Sequence, residues 1–148
     1  MHHDKNCPYA IVLLDLDHFK NINDQFGHHM GDTVLIAVSQ KLGLHLRESD
    51  VVGRFGGEEF ILILKQSSAL KARQIAERCR AAIEDLVIQN EDGRAIRITA
   101  SFGIALATDK LKPQQLLDQA DKALYAAKAS GRNQIKCYLE INPSEIKY

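Results

Sequence analysis

Two acids in this chain stand where a hard cation could be held. Asp15 closes the apolar run Ala10-Ile11-Val12-Leu13-Leu14, and Glu58 follows a glycine pair in Arg54-Phe55-Gly56-Gly57-Glu58-Glu59-Phe60. The first run does not alternate, so it reads as a strand over residues 9–16 buried on both faces. The second reads as the tip of a hairpin over 51–64. Its glycines offer the positive φ of a tight turn and clear side chains from where a ligand could approach the backbone. If the two strands are neighbours, Asp15 and Glu58 reach one edge of the sheet. With the Leu16 carbonyl they form an oxygen-donor set suited to Mg²⁺, or to Mn²⁺ in its place. Such a metal keeps positions for phosphate oxygens and water and favours loss of a proton from an attacking hydroxyl. Taken alone, the tip is more simply a solvated turn, and Asp17 a helix cap or first-turn acid.

Cations accompany these acids. Lys20 follows Asp15 closely and would either pair with the acids or meet phosphate. Lys128 and Arg132, four apart at the end of an apolar-striped segment, could face one way and grip a phosphate tail. Cations are also favoured at a helix C-terminus by the dipole alone. Asn23 and Asp32 carry the amide and carboxylate that could meet the edge of a guanine, although Asp32 reads equally as a helix cap. His28 and His29 lie in a glycine-flanked stretch and read as a solvated loop without metal. Arg47 and Asp50 are spaced for a local ion pair worth about 0.5 kcal/mol.

The elements that must position these groups follow from periodicity. A short helix over 19–26 ends at Gly27. A second, with Asp32 as a cap, runs to about Leu46 with Leu35, Val38 and Leu42 on one stripe. Ser67 or Ser68 opens a third, whose apolar face is Ala72, Ile75, Ala76, Cys79, Ala82, Ile83 and Leu86. Strands over 87–89 and 95–107 meet around Asp92-Gly93. Pro113 starts a last helix, with Gly131 at its C-terminal cap, before a strand over 134–139. The order β-α-α-β-β-α-β-β-α-β implies an α+β domain with a mixed, mostly antiparallel sheet, ferredoxin-like or polymerase-palm-like.

Composition narrows the function. At 148 residues the chain is most simply one domain, and 45% hydrophobic residues suffice for a core. Basic and acidic residues balance at 19 each, which argues against a nucleic-acid coat while leaving room for a local phosphate pocket. No apolar run approaches the roughly 18 residues of a membrane span. Cys7, Cys79 and Cys137 show neither zinc spacing nor a disulfide framework, which fits a reducing cytoplasm.

Taken in order, these motifs resemble those of the GGDEF domains, the bacterial diguanylate cyclases. The resemblance runs from about Tyr9 to Tyr138. It rests on Asp15-Leu16-Asp17-His18-Phe19-Lys20, Asn23-Asp24, Gly27-His28, Gly31-Asp32 and the Arg54–Phe60 stretch. Ser101-Phe102-Gly103-Ile104-Ala105, Ala120-Asp121-Lys122-Ala123-Leu124-Tyr125, Ala127-Lys128 and Gly131-Arg132-Asn133 complete it. Glu58 stands where the family name has Asp, a variant found in active members. The resemblance implies condensation of two GTP into cyclic di-GMP, each held by one of two facing domains. It assigns Mg²⁺ to Asp15, the Leu16 carbonyl and Glu58. Glu58 would also activate the 3′-hydroxyl, with Glu59 assisting and Lys20 stabilising phosphate charge. It gives guanine to Asn23 and Asp32, a place along the nucleotide to His28, and the β- and γ-phosphates to Lys128 and Arg132. Arg47 and Asp50, five residues before the glycine pair, match the family's product-inhibition motif, with Arg78 as a second arginine for bound cyclic di-GMP.

The resemblance also sets expectations for organisation. Residues 1–140 form the domain, without the Asp-x-Leu-Thr-Gly segment that usually precedes the first strand, and 141–148 a tail or linker. A second GGDEF domain and an upstream regulatory domain are the expected partners, with no nucleic acid and a cytoplasmic location even if the parent protein is anchored at a membrane. The competing readings are a non-catalytic module that binds GTP or cyclic di-GMP, and a cyclase that also accepts ATP. The intact Gly56-Gly57-Glu58-Glu59 and Asp15 oppose the first, and Asp32 the second.

Overall fold

The computed structural model describes residues 9–141. The central strand is β1, Tyr9–Leu16, paired antiparallel on both sides, with β3, Glu59–Lys65, and with β6, Ala100–Leu106. Strand β2, Val51–Arg54, extends one edge. Strand β7, Ile135–Cys137, runs parallel to β6 on the other, giving the order β2-β3-β1-β6-β7. The parallel step requires a crossover, which α4, Pro113–Ala129, supplies.

Side-chain alternation assigns the faces. Ala10, Val12, Leu14 and Leu16 of β1 point with Phe60, Leu62, Leu64, Phe102 and Ile104 into the larger core. Helices α1 (Phe19–Phe26), α2 (His28–His45) and α3 (Ala69–Asp85) cover that side. Ile11 and Leu13 point the other way, against Leu116, Ala120 and Leu124 of α4. Burial on both faces is why β1 reads as an unbroken apolar run. In β6 the large residues face the first core, and Ser101, Gly103 and Ala105 face α4. A Cβ on Gly103 would lie 2.2 Å from the backbone nitrogen of Leu124 and 2.4 Å from the Ala120 carbonyl. Glycine there is what lets helix and strand close.

The caps and boundaries refine the expected ones. Ser68 caps α3, accepting from the Lys71 amide at 3.2 Å. Pro113 opens α4, and the Lys112 amide donates to the Gln115 side chain. Helix α2 begins at His28 rather than Asp32, so Asp32 is an exposed residue inside the helix and not its cap, and the histidines are helical rather than in a loop. The strand expected over 95–107 is divided. Ala95–Ile96 (β5) pairs with Ile88–Gln89 (β4) in a separate two-stranded ribbon, and the main sheet resumes at Ala100. The last strand is shorter than expected and passes into a 3₁₀ turn over Tyr138–Glu140. Cys79 and Cys137 are buried free thiols, and burial pushes the Cys79 thiol up to about 11. Cys7 and, apart from Ile141, the expected tail lie outside the described residues.

Candidate functional site

The hairpin tip forms beside the end of β1, as the spacing requires. Asp15 pairs in register with Glu59, and the Leu16 amide donates to the Glu58 carbonyl at 3.2 Å. Glu58, Glu59 and Asp15 therefore share one sheet edge. The tip is closed by the Phe55 and Gly56 amides, which donate to the Glu59 carbonyl at 2.8 and 3.3 Å. Contrary to expectation, neither Gly56 nor Gly57 has a positive φ. The need at Gly56 is clearance, because a Cβ there would lie 2.8 Å from a Glu59 carboxylate oxygen. Around Gly57 the space is open. Arg54 braces the tip from behind, donating to the Gly57 carbonyl at 2.6 Å and lying over the Phe60 ring at 5.6 Å. The sequence reading gave Arg54 no such role.

The electrostatics at this edge favour positive charge. Burial first, and the Asp15 carboxylate second, push the Glu58 and Glu59 carboxyls above their usual range, while Lys128 pulls them back. The Lys128 ammonium already sits on Asp15, at 2.5 Å from Oδ2, with the Asp15 side chain only 12% exposed. A protein cation thus neutralises Asp15. Among the described residues no three His, Cys, Asp or Glu side chains converge as a metal centre. Two carboxylates and a carbonyl, with sites left for water and phosphate, are the sparse donor set that Mg²⁺ accepts. The residues present fit the ion.

The remaining predicted residues fall into three places. Lys20 projects from α1 as an exposed cation without a partner among the described residues, and Arg132 does the same beyond α4. Arg132 does not continue the helical face of Lys128, since α4 ends at Ala129 and Arg132 lies in a left-handed turn at φ 64. Asn23 sits between α1 and α2. Its Oδ1 is buried and has no hydrogen-bond partner, and a Cβ on Gly31 would come within 1.8 Å of it. An unpaired buried acceptor is costly, about 1–3 kcal/mol. His28 and Asp32 are exposed on the first turns of α2, one turn apart.

The third place lies beyond the C-terminus of α2. Arg47 grips Asp50 through Nε and Nη2 at 2.8–3.2 Å, and its own amide donates to Asp50 Oδ2 at 2.8 Å. Arg47 Nη2 also reaches the Lys65 carbonyl and Ser67 Oγ, at 2.7 and 2.9 Å. Burial pushes the Asp50 carboxyl up, but the Arg47 bonds outweigh it and hold the group below its usual range. Arg78, on α3, donates to the His45 carbonyl at 2.9 Å, which brings it to the same corner. The local ion pair read from spacing is thus formed, and more extensively than an exposed i,i+3 pair.

Asp17 departs from its expected role. His18, not Asp17, occupies the cap position of α1. The buried Asp17 carboxylate accepts instead from Thr99 Oγ1 at 2.6 Å, Ser101 Oγ at 2.7 Å and the Asn133 amide at 3.1 Å.

A mixed sheet with helices on both faces, and carboxylates and a lysine at one end of its central strands, defines an α+β domain with a charged sheet edge. Comparison with known proteins gives the class a family. The sequence model described as "Diguanylate cyclase, GGDEF domain" matches residues 1–134. Diguanylate cyclase A of Treponema denticola is 40% identical over 133 residues, covering 89% of this chain and 36% of that protein. The GGDEF domain of DgcB from Caulobacter crescentus, solved in complex with c-di-GMP, superposes with a TM-score of 0.86 at 30% identity, over 90% of this chain and 79% of that one. The active GGEEF domain of a diguanylate cyclase from Vibrio cholerae superposes with a TM-score of 0.81 at 32% identity, over 88% and 83%. This chain belongs to the diguanylate cyclase GGDEF domain family. It spans about a third of the length of the curated relatives it matches, 37% and 36% of the first two.

Proposed function

We propose that this domain joins two GTP molecules into cyclic di-GMP, releasing two pyrophosphates, with one GTP held by each of two facing copies. The observation that carries the reading is that Asp15 pairs in register with Glu59 and Leu16 bonds the Glu58 backbone, which sets the three acids at one sheet edge, with Lys128 seated on Asp15. Asp15, the Leu16 carbonyl and Glu58 would hold Mg²⁺, which when bound neutralises phosphate charge and favours ionisation of a nearby hydroxyl. Burial and the Asp15 charge raise the Glu58 and Glu59 carboxyls in the metal-free site, and a bound cation would favour their ionised form. Glu58 receives the proton of the 3′-hydroxyl as that oxygen attacks the α-phosphorus of the facing GTP. Lys20 meets the charge that builds on the phosphate oxygens, and Lys128 and Arg132 hold the leaving pyrophosphate.

Asn23 and Asp32 bind the guanine edge, the buried Asn23 Oδ1 turning outward to do so, and His28 lies beside the nucleotide. The corner of Arg47, Asp50 and Arg78 binds cyclic di-GMP and makes the product an inhibitor. Two guanidiniums suit its two phosphates, and binding there requires Arg47 to exchange some of its internal bonds for the ligand. A GTP-consuming domain with free thiols belongs in the cytoplasm, with an upstream regulatory domain as the expected partner in a longer protein. No helix of the described residues is long and apolar enough to cross a membrane. The test is incubation with GTP and Mg²⁺, with mass-spectrometric detection of cyclic di-GMP. Wild-type product that disappears with Glu58→Gln supports the reading. Tight GTP binding without product, from a chain forced to dimerise, would reassign the domain as a binding module.

A further inference from the structure

The turn that carries Arg132 holds that arginine in a conformation it does not favour. Gly131, Arg132 and Asn133 follow one another at φ 119, 64 and 48. Glycine adopts such a φ freely and asparagine tolerates it, but at Arg132 left-handed backbone costs on the order of 1–2 kcal/mol. The turn is fixed from two sides. From the sheet, Asp17 Oδ2 accepts the Asn133 amide at 3.1 Å, and Ser101 Oγ lies 3.2 Å from the same amide. The other Asp17 bonds, to Thr99 and Ser101 at 2.6 and 2.7 Å, leave the carboxylate little freedom. From α3, Arg80 Nη1 donates to Asn133 Oδ1 at 2.9 Å, and Asn133 Nδ2 donates to Glu84 at 2.7 Å. The Arg132 amide itself returns to the Ala127 carbonyl at 3.0 Å, so the direction in which its side chain leaves is set by the turn. The Arg132 guanidinium has no partner of its own among the described residues.

We propose that Asp17 is a positioning residue. Its carboxylate clamps the turn through the Asn133 amide, and so aims Arg132 at the same edge as Asp15, two residues earlier on the chain. A buried acid with three donors from two distant segments is a costly arrangement for packing alone, since apolar groups of similar shape would fill the space without desolvation. The clamp joins the end of β1, which carries the acids, to the turn after α4, which carries the cation. The proposal rests on the reading that Arg132 holds the terminal phosphates of GTP.

The test is a double-mutant cycle on nucleotide affinity. Asp17→Asn, Arg132→Ala and the double variant are titrated in Mg²⁺ with 3′-deoxy-GTP, which cannot be condensed, and with GMP, which lacks the terminal phosphates. The expected result is a roughly tenfold weaker 3′-deoxy-GTP affinity for Asp17→Asn, the scale of one weakened hydrogen bond to a charged group. GMP affinity should be unchanged, and the double variant no worse than Arg132→Ala alone. Additive losses, or equal weakening of both nucleotides, would overturn the clamp. If Arg132→Ala leaves 3′-deoxy-GTP affinity intact, the phosphate reading of Arg132 fails and the clamp with it. Should Asp17→Asn not fold, Ser101→Ala removes one donor and one acceptor of the same clamp and is put through the same cycle. Asn133→Gly, which accepts the turn's φ and keeps the amide bond to Asp17, should bind 3′-deoxy-GTP within about threefold of wild type. A tenfold loss there would place the aim in α3 instead.

Discussion

Lys128 is the residue on which two roles compete. Its ammonium neutralises Asp15 at 2.5 Å, yet the proposed reaction needs Asp15 on a metal and Lys128 on a phosphate. Both requirements are met if cation and nucleotide arrive together and Lys128 moves from the carboxylate to the phosphates. Lys128→Met should therefore raise Mn²⁺ affinity in the absence of nucleotide, read by the loss of free Mn²⁺ signal in electron paramagnetic resonance. The same variant should weaken GTP binding by about tenfold, the worth of one charge-assisted contact. Unchanged or weaker Mn²⁺ binding would show that the lysine supports the acids rather than competing for them. Glu58→Gln should leave the fold intact and lower cyclic di-GMP formation by about 10²-fold or more, the scale of a lost general base.

At the scale of elements, two close approaches carry the architecture. Gly103→Ala would drive a Cβ into the backbone of α4 at 2.2–2.4 Å, where no side chain can give way. Overpacking of that kind costs about 1–3 kcal/mol or more, so thermal denaturation should show a fall in Tm of several degrees. The second device joins α2 to β2 and β3 through Arg47 and Asp50. Asp50 has a folded-state value below its ordinary one, near 3.9. Its stabilisation is therefore complete above that pH and lost as pH falls through the lower folded value. Asp50→Asn should lower stability by about 2 kcal/mol at pH 7. The gap in Tm from wild type should close as the pH drops below about 4. A gap that does not narrow as the pH falls would mean that charge is not what Asp50 contributes. Arg47→Ala should weaken cyclic di-GMP binding while leaving GTP affinity largely intact, as calorimetric titration of each would show.

Much of this was legible in the chain because it is local. The 3.6-residue stripe of α3 and its Ser68 cap, the uninterrupted apolar run of β1, and the acids beside Gly56-Gly57 all lie within short windows. Other features depend on partners far away. Asp17 meets Thr99 and Asn133, 82 and 116 residues along the chain, and nothing around Asp17 announces them. The start of α2 at His28 was missed because its cap position is Gly27, which offers no side-chain acceptor. The break before β6 was hidden because Ile96, Ile98 and Ala100 continue one alternation, all buried, while the backbone changes sheets.

For the whole molecule, the edge that gathers the acids serves one nucleotide, and the proposed reaction needs two. Product formation should then rise with roughly the square of protein concentration where the chain is mostly monomeric, and become linear once two copies are joined. The most direct measurement is cyclic di-GMP formation by two copies of this chain fused to a dimerising coiled coil, with GTP and Mg²⁺. Product is expected from the wild-type pair, and none above background when Asp15→Asn is placed in both copies. Saturating GTP on both sites with no cyclic di-GMP formed would contradict the proposed reaction.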